Sequence, residues 1–410
     1  METGKGKIKM SSSTPENRSN VIKFCVSYLL SAFGYEFIFF VMTVYVYDLT
    51  GSALNVGIFA ALTFVPKLFS PFFGSITDRY PRNKIFSVST GIVSVLILLI
   101  SFFNNIKIVY AIWFFVAIAV TVIMNVRTAI MTEVMPKDNY LRGNSTVLIS
   151  LNATKIVAPL LGGIIAAKWD PRLLLLLTSF VYLVATVFGG RIEVQWHGEI
   201  GTAAKRNTVL HIREGIQYLL SNNTLTYLAA IVFCWRLFLG LQVSLFVVYV
   251  KSFLSRGDTA FGIFMAVVGV GSIVGSIAGP GLVNKLGNRR IVNWGLGGHY
   301  LLFALLGFIR SYELAVATVF FCYLLLYASV VGFHSLRDMA TSLALRGRVY
   351  GSITAIVTPP ALISMLLGGY LAGTYGVEKV LAVSGVLAAV SLQAIRFAFS
   401  NGRSPVFQAR

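Results

Sequence analysis

The sequence is short of charged residues, and acidic residues are the scarcest of these. Of 410 residues, 12% are charged and 15 are Asp or Glu, whereas 56% are hydrophobic. A soluble protein of this length needs a much larger polar surface in contact with water. The composition therefore excludes an ordinary soluble domain and indicates a chain whose surroundings are themselves apolar.

Residues and motifs that carry metal or nucleotide chemistry are also lacking. The three cysteines, Cys25, Cys234 and Cys322, lie far apart in apolar runs without metal-ligand spacing, so we interpret them as small buried side chains. No nucleotide loop of the G-x-x-x-x-G-K-S/T type, no H-E-x-x-H and no span with paired acids occurs. This excludes an ATP-driven pump within the chain and disfavours a membrane-embedded enzyme. We expect no cofactor and no metal.

Long apolar runs dominate the rest of the chain. About 20 mostly apolar residues cross a bilayer as a helix, and the sequence predicts twelve such spans. They cover residues 22–47, 52–73, 85–103, 108–133, 143–167 and 171–190, and then 225–250, 258–283, 290–309, 312–336, 347–373 and 376–399. We therefore predict an all-α membrane protein.

The polar segment 191–224 divides the predicted spans six and six. We expect residues 21–190 and 225–399 to form two six-helix bundles, with 1–20 and 400–410 as tails. Apolar residues recur at helical spacing in the segment, at Val209, Ile212, Ile216 and Leu219. This spacing predicts an amphipathic helix lying on the membrane surface or against the bundles.

The net charge of +19 is concentrated between the apolar runs. On a compact soluble domain it would suggest nucleic acid as a partner; here the lipid bilayer is the expected partner and nucleic acid is not. Most Lys and Arg lie in the N-terminal segment, in 191–224, in the loops on the same side and in the C-terminal tail. The positive-inside rule then predicts that both termini are cytoplasmic.

The two halves also resemble each other in sequence. An offset of 206 residues places LLGGIIA at 160–166 on LLGGYLA at 366–372, and it also places Arg79 on Lys285 and Arg142 on Arg348. Agreement at one offset in separate regions indicates a duplicated six-helix unit, with the bundles related by a pseudo-two-fold axis.

The segment between spans 2 and 3 carries Gly74, Asp78, Arg79, Arg82 and Lys84. With this topology, it resembles the G-x-x-x-D-R-x-G-R-R/K loop of the major facilitator superfamily, and Pro81 stands where that family usually has Gly. A degenerate second copy carries Asn284, Lys285, Arg289 and Arg290. The resemblance implies a gating loop that holds one conformational state. The alternative is that these basic residues only fix orientation.

Two further segments resemble branches of the same superfamily. Pro159, Gly162 and Gly163 follow Ala158 in an arrangement similar to the G-P-x-x-G-G signature of its antiporters. The stretch from Arg127 through Glu133 to Pro136, followed by Arg142 and Asn144, is similar to the macrolide-efflux and siderophore-exporter branch. The resemblance implies efflux by proton antiport, of the kind that gives multidrug resistance. For Arg127 we favour a gating or structural role, paired with Glu133 or Asp78.

Charges inside spans are the best pointers to a transport site. Glu36 is the only acid well inside a predicted span, and Arg236 lies similarly deep in the seventh span. Spans 1, 4, 7 and 10 line the central cavity in the superfamily, so the resemblance implies that Glu36 faces Arg236. A carboxyl in an apolar environment favours its protonated form unless a cation lies close. Glu36 is therefore our candidate for proton coupling; a static pair with Arg236 and a substrate contact are the alternatives.

Further candidates for the central cavity are Arg236 itself, Gln242, His334, Tyr35 and Trp235. We predict a secondary active exporter of a small amphipathic molecule such as a drug, macrolide or siderophore, driven by protons through alternating access. An importer, a uniporter or a lipid translocator of the same fold remains the alternative, and an enzyme or receptor is less favoured. The resemblance also implies a monomer in a bacterial plasma membrane.

Overall fold

The computed structural model describes residues 15–70, 72–73, 80–134, 140–193, 208–342 and 345–400, and within these ranges the regular elements are helices. The helices are α1 Pro15–Thr50, α2 Ala53–Phe64, α3 Arg82–Ile100, α4 Ile106–Val134, α5 Tyr140–Ala166, α6 Pro171–Gly190, α7 Thr208–Ser221, α8 Asn223–Val248, α9 Asp258–Leu286, α10 Asn288–Leu306, α11 Tyr312–Ala340, α12 Arg346–Tyr375 and α13 Val377–Ser400. A 3₁₀ turn, Val65–Phe69, continues α2, and a π-helical turn, Tyr249–Phe253, continues α8.

Twelve of these helices are the membrane spans. Nine are long and apolar enough to cross a bilayer by length and composition, and the apolar stretches Ala53–Phe69 and Ser150–Ala166 belong to two shorter ones. The twelfth is α10, whose first turn carries two arginines. The predicted fold of two six-helix bundles is confirmed. The remaining helix, α7, lies in the segment predicted as the linker, and its Leu219 is buried against the bundles.

Short polar residues begin several of the helices. The side chain of Asn222 accepts hydrogen bonds from the backbone N–H groups of Thr224 and Leu225 at the start of α8. Asp170 accepts from the N–H of Arg172 at the start of α6. The first N–H groups of a helix lack partners within it, so these side chains fix where the spans begin.

A single glycine separates α9 from α10. Gly287 has φ +83°, a region that favours glycine because it has no Cβ. Asn284 and Lys285 therefore lie in the last turn of α9, while Arg289 and Arg290 lie in the first turn of α10. The second copy is therefore not an extended loop, and its gating role stays a prediction. They flank a one-residue break between helices.

The two ends of the helical bundle are identified by side-chain contacts near the helix termini. At one end, the side chain of Asn20 donates to the carbonyl of Glu193 at 2.7 Å, and that of Asn83 donates to the carbonyl of Ile192 at 2.9 Å. We call this the Asn20 end. The opposite end, where α1 finishes and α9 begins, carries Lys251 and is called the Lys251 end.

The halves meet along two helix pairs, α5 with α9 and α2 with α12. Within the first half α3 packs against α4 and α6, and α1 packs against α5 and α6, while within the second half α11 packs against both α9 and α10. Buried apolar side chains run through both halves as one large cluster. This arrangement leaves the space between the halves to be filled by side chains from α1, α5, α8, α9 and α11.

Candidate functional site

A cavity of about 180 Å³ lies between the two halves. Its charged lining consists of Glu36 from α1 and Lys155 from α5. The rest is largely aromatic and apolar: Phe39, Phe40, Thr43, Pro159, Phe246, Phe261, Met265, Val268, Gly269, Ser272, Tyr323 and Tyr327. An apolar cavity with a few convergent polar groups is the usual form of a small-molecule site.

Three cations of the first half interact electrostatically with the carboxyl group of Glu36, and none of them forms an ion pair with it in the described part of the chain. Lys155 has the strongest electrostatic interaction with it, followed by Lys67 and Arg127. Arg236 is not among them, and no ion pair joins Glu36 to Arg236 among the described residues. The alternative of a static Glu36–Arg236 pair is therefore not what the described residues form. The cations that interact with Glu36 come instead from three other elements of its own half.

Lys67 is positioned by aromatic side chains. Its Nζ lies 3.7 Å from the ring centroid of Phe64 and donates a hydrogen bond to the hydroxyl of Tyr35 at 3.4 Å. A cation over a ring face is stabilised by the ring's quadrupole. Tyr35, predicted to line the cavity, instead lies beside it and connects Lys67 to the helix that carries Glu36.

Arg236 adds a further positive charge to this region, and like Arg127 it lies against an aromatic ring. The guanidinium of Arg127 lies 4.5 Å from the ring centroid of Tyr28, and that of Arg236 lies 5.1 Å from the ring of Trp235. The Nε atoms of both arginines are buried and have no hydrogen-bond partner among the described residues. Such a buried donor costs about 1–3 kcal/mol, so both arginines are suited to meet an acidic group.

Gln242 lies one side chain behind the cavity wall. Its carbonyl oxygen accepts from the hydroxyl of Tyr323 at 2.9 Å, and its amide nitrogen lies 3.1 Å from Nε2 of His299. The other ring nitrogen of His299 lies 3.0 Å from the carbonyl oxygen of Cys322. This buried network fixes the orientation of Tyr323 in the lining. No role of His299 was predictable from the sequence, because its partners Gln242 and Cys322 lie on two other helices.

The other predicted cavity residues lie elsewhere. Trp235 and Arg236 are not in the lining, although Arg236 interacts electrostatically with Lys67 and with Tyr327 of the cavity wall. His334 is exposed on the last turns of α11 and contacts the ring of Phe333. The prediction that His334 lines the cavity is wrong, because that part of α11 extends past the cavity toward the Asn20 end.

An ion-pair cluster joins the halves at the Lys251 end. The ammonium group of Lys251 donates to the carboxylate of Asp48 on α1 and, at 2.6 Å, to that of Asp258 on α9. Asp48 belongs to the first half and the other two residues belong to the second. None of these three residues was predicted, because each stands at the end of a span, where a charge is ordinary. The signal available was the opposite sign of the charges that end spans 1 and 7.

Glycines allow the halves to approach at the same end. A Cβ on Gly163 of α5 would lie 2.8 Å from Cα of Gly262 and 2.6 Å from the carbonyl oxygen of Asp258, both backbone atoms of α9. A Cβ on Gly369 of α12 would lie 2.4 Å from the carbonyl oxygen of Ala53 on α2. Gly163 and Gly369 are the residues that the offset of 206 superposes, so the duplication places them at equivalent contacts between the halves.

The antiporter-like residues of α5 divide between two contacts. Pro159 lines the cavity, and its carbonyl oxygen approaches Gly262 of the other half. Gly162 faces the ring of Phe40 within its own half, where a Cβ would lie 2.6 Å from a ring carbon. The segment therefore combines a cavity wall, a packing contact and, at Gly163, the approach between halves.

The residues predicted for the gating loop lie at the Asn20 end where they are described. Arg82 forms an ion pair with Glu133, which joins the start of α3 to the end of α4. The predicted pairing of Arg127 with Glu133 does not occur, because Arg127 contacts Tyr28 and Arg82 takes the carboxylate. Lys84 is exposed. Gly74, Asp78 and Arg79 lie outside the described residues.

Two six-helix halves around a charged cavity define a multi-pass membrane protein of the transporter class. The sequence pattern of the Major Facilitator Superfamily matches residues 24–356, so this chain belongs to that superfamily. Both findings indicate a transporter rather than an enzyme. Comparison with proteins of established function finds no match by sequence.

Solved transporter structures share the fold at low sequence identity. The nucleoside transporter NupG superposes with TM-score 0.76 at 11% identity, covering 94% of this chain and 100% of that chain. A bacterial homologue of the iron transporter ferroportin in the inward-facing state gives 0.73 at 17%, covering 95% and 100%. A bacterial homologue of the human lysosomal transporter Spinster, inward-facing and unoccupied, gives 0.71 at 13%, covering 96% and 100%. These likenesses establish the fold alone.

Proposed function

We propose that this chain is a secondary active transporter that exports a small amphipathic molecule by proton antiport, with Glu36 as the proton-carrying group. The observation that carries the proposal is the position of Glu36, the acidic residue in the lining of the cavity between the halves. The aromatic walls suit an amphipathic substrate of the drug, macrolide or siderophore kind. The antiporter-like segment at Pro159, Gly162 and Gly163 supports antiport, in which the substrate and protons cross the membrane in opposite directions.

Alternating access requires the contacts at the Lys251 end to break while the opposite end closes. The Lys251–Asp48 ion pair and the glycine contacts of Gly163 and Gly369 stabilise closure of the Lys251 end. Protonation of Glu36 removes the counter-charge of Lys155, Lys67 and Arg127. The change in charge at the cavity is then the event that biases the two conformational states.

One observation favours a second candidate, the cotransport of an anionic substrate with protons. The cations near the cavity outnumber its carboxylate, and the buried Nε atoms of Arg127 and Arg236 have no partner in the described part of the chain. An anion would compete with the carboxylate of Glu36 for these cations, so anion binding would favour protonated Glu36. Proton and substrate would then bind together, whereas a cationic substrate would compete with the proton and give antiport.

The test is flux into proteoliposomes under imposed pH gradients, with a panel of cationic dyes, macrolides and carboxylate-bearing siderophores. Antiport predicts uptake driven by an acidic lumen, and cotransport predicts uptake driven by an acidic exterior. In both cases Glu36→Gln should abolish gradient-driven uptake and retain exchange of labelled for unlabelled substrate, because the neutral side chain still permits alternating access.

The matched control is Glu313→Gln, which neutralises an exposed acid at the Lys251 end and should leave flux unchanged. Full gradient-driven uptake by Glu36→Gln would remove Glu36 from the coupling mechanism. Absence of flux for every compound in the panel would count against an exporter of amphipathic molecules.

A further inference from the structure

A groove rich in arginine opens on the outer surface of the second half, away from the central cavity. Its volume is about 520 Å³, and it lies between the first turns of α10 and the last turns of α13. Arg289 and Arg290 enter it from α10, and Arg396 enters it from α13. Three positive charges thus converge from two spans at the Asn20 end.

None of the described residues that line the groove carries a carboxylate, and its polar lining besides the arginines includes the amides of Asn293 and Gln393. Among the described residues, neither Arg290 nor Arg396 forms an ion pair, and Arg396 donates instead to the amide oxygen of Gln393 at 2.9 Å. Arg289 packs 5.4 Å from the ring centroid of Tyr227 and is held in place by that contact. The groove is therefore electropositive and partly preorganised.

The position of the groove indicates which kind of ligand binds its arginines. Trp294 and Phe397, which also line it, are 68% and 71% exposed. On a spanning helix, apolar side chains this exposed face acyl chains, and tryptophan is enriched at the level of lipid headgroups. The arginines lie at the ends of the same spans, at the depth where headgroups begin.

We propose that this groove binds the phosphate of an anionic lipid, with Arg290 and Arg396 on the phosphate oxygens and Trp294 and Phe397 against the acyl chains. The guanidinium group suits this role because its planar array of donors matches phosphate oxygens in pairs. A lipid headgroup and free phosphate share this chemistry. The exposed aromatic side chains favour the lipid, because free phosphate offers nothing for them to contact.

The test uses the full-length protein in detergent, with bound lipid measured by native mass spectrometry and by the shift in thermal unfolding temperature. Phosphatidylglycerol and cardiolipin should bind and raise the unfolding temperature, whereas phosphatidylcholine and inorganic phosphate should not. The Arg290→Gln, Arg396→Gln double variant should bind the anionic lipids at least tenfold more weakly, because two charged contacts to the phosphate are lost.

The matched control is the Arg310→Gln, Lys379→Gln double variant, which removes two exposed charges at the Lys251 end and should bind as the parent does. Arg290 is exposed, so Arg290→Gln alone leaves the core intact and should show a smaller loss if the double variant folds poorly. Unchanged lipid binding in the double and single variants would overturn the proposal. A stabilising shift with inorganic phosphate that displaces the lipid would identify a free-phosphate site and overturn the assignment to lipid.

Discussion

The substitution Gly163→Ala tests whether close backbone contact holds the Lys251 end shut. The added Cβ would lie 2.6 Å from the carbonyl oxygen of Asp258 and 2.8 Å from Cα of Gly262. Ordinary van der Waals contact begins at 3.4 Å, so the methyl group intrudes by about 0.8 Å at the carbonyl oxygen. Both neighbours are backbone atoms of α9, and no flexible side chain can move aside. The strain can therefore be relieved by separating α5 from α9.

The magnitude follows from the cost of overpacking. Inserting a methyl group into a tightly packed contact costs about 1–3 kcal/mol. The cost applies to the state in which the Lys251 end is closed and vanishes when the halves separate there. The ratio of open to closed molecules at this end should therefore rise by a factor of about 5 to 150.

Distances between spin labels on the two halves measure this shift. Cysteines introduced at Lys168 and Arg310, which are exposed and lie on different halves at the Lys251 end, carry the labels in a background with the native cysteines replaced by alanine. Gly163→Ala should add a longer distance to the distribution. Gly373→Ala in α12 is the control, because a Cβ there meets nothing within 4 Å. A distribution for Gly163→Ala identical to that of the control would refute the reasoning.

Two further predictions concern polar contacts. Asp48→Asn removes the carboxylate that joins the first half to Lys251, while Asp258 still holds the lysine. Because the partly exposed ion pair contributes about 1 kcal/mol, the same spin labels should show about a fivefold shift toward the form that is open at the Lys251 end. No shift would contradict the role of the ion pair. Gln242→Leu leaves both the hydroxyl of Tyr323 and a ring nitrogen of His299 without a partner. Each loss costs about 1–3 kcal/mol, so this variant should unfold at a lower temperature than Tyr323→Phe, and the reverse order would contradict the network.

The duplication shows how far sequence comparison reaches. The offset of 206 residues pairs Gly163 with Gly369, and both glycines lie where a helix of one half meets a helix of the other. Gly271 and Gly275, which lie four residues apart in α9, differ from these: a Cβ on either would meet backbone atoms of α11 within the same half. Small residues in a span predict a close helix contact in both cases, but they do not say which helix is the partner.

The charged residues also include one that the sequence predicted and several that it did not. Glu36 was predictable because an acid in an apolar span is costly and is retained for a reason, and the structure places it in the cavity lining. Its partners were not predictable. Lys155, Lys67 and Arg127 come from three other helices, and the rotation of each helix about its axis decides which side chains meet.

The sequence alone determined that the chain crosses a membrane as twelve helices in two related halves, because the length and apolarity of each span are local properties that the bilayer requires. The tertiary structure alone decided which residues surround the cavity and which hold the Lys251 end closed. Helix rotation and the angle between the halves bring together Lys251, Asp48 and Asp258, as well as Tyr323, Gln242 and His299. These contacts join residues from 7 to 203 positions apart, and no pattern within a single span encodes them.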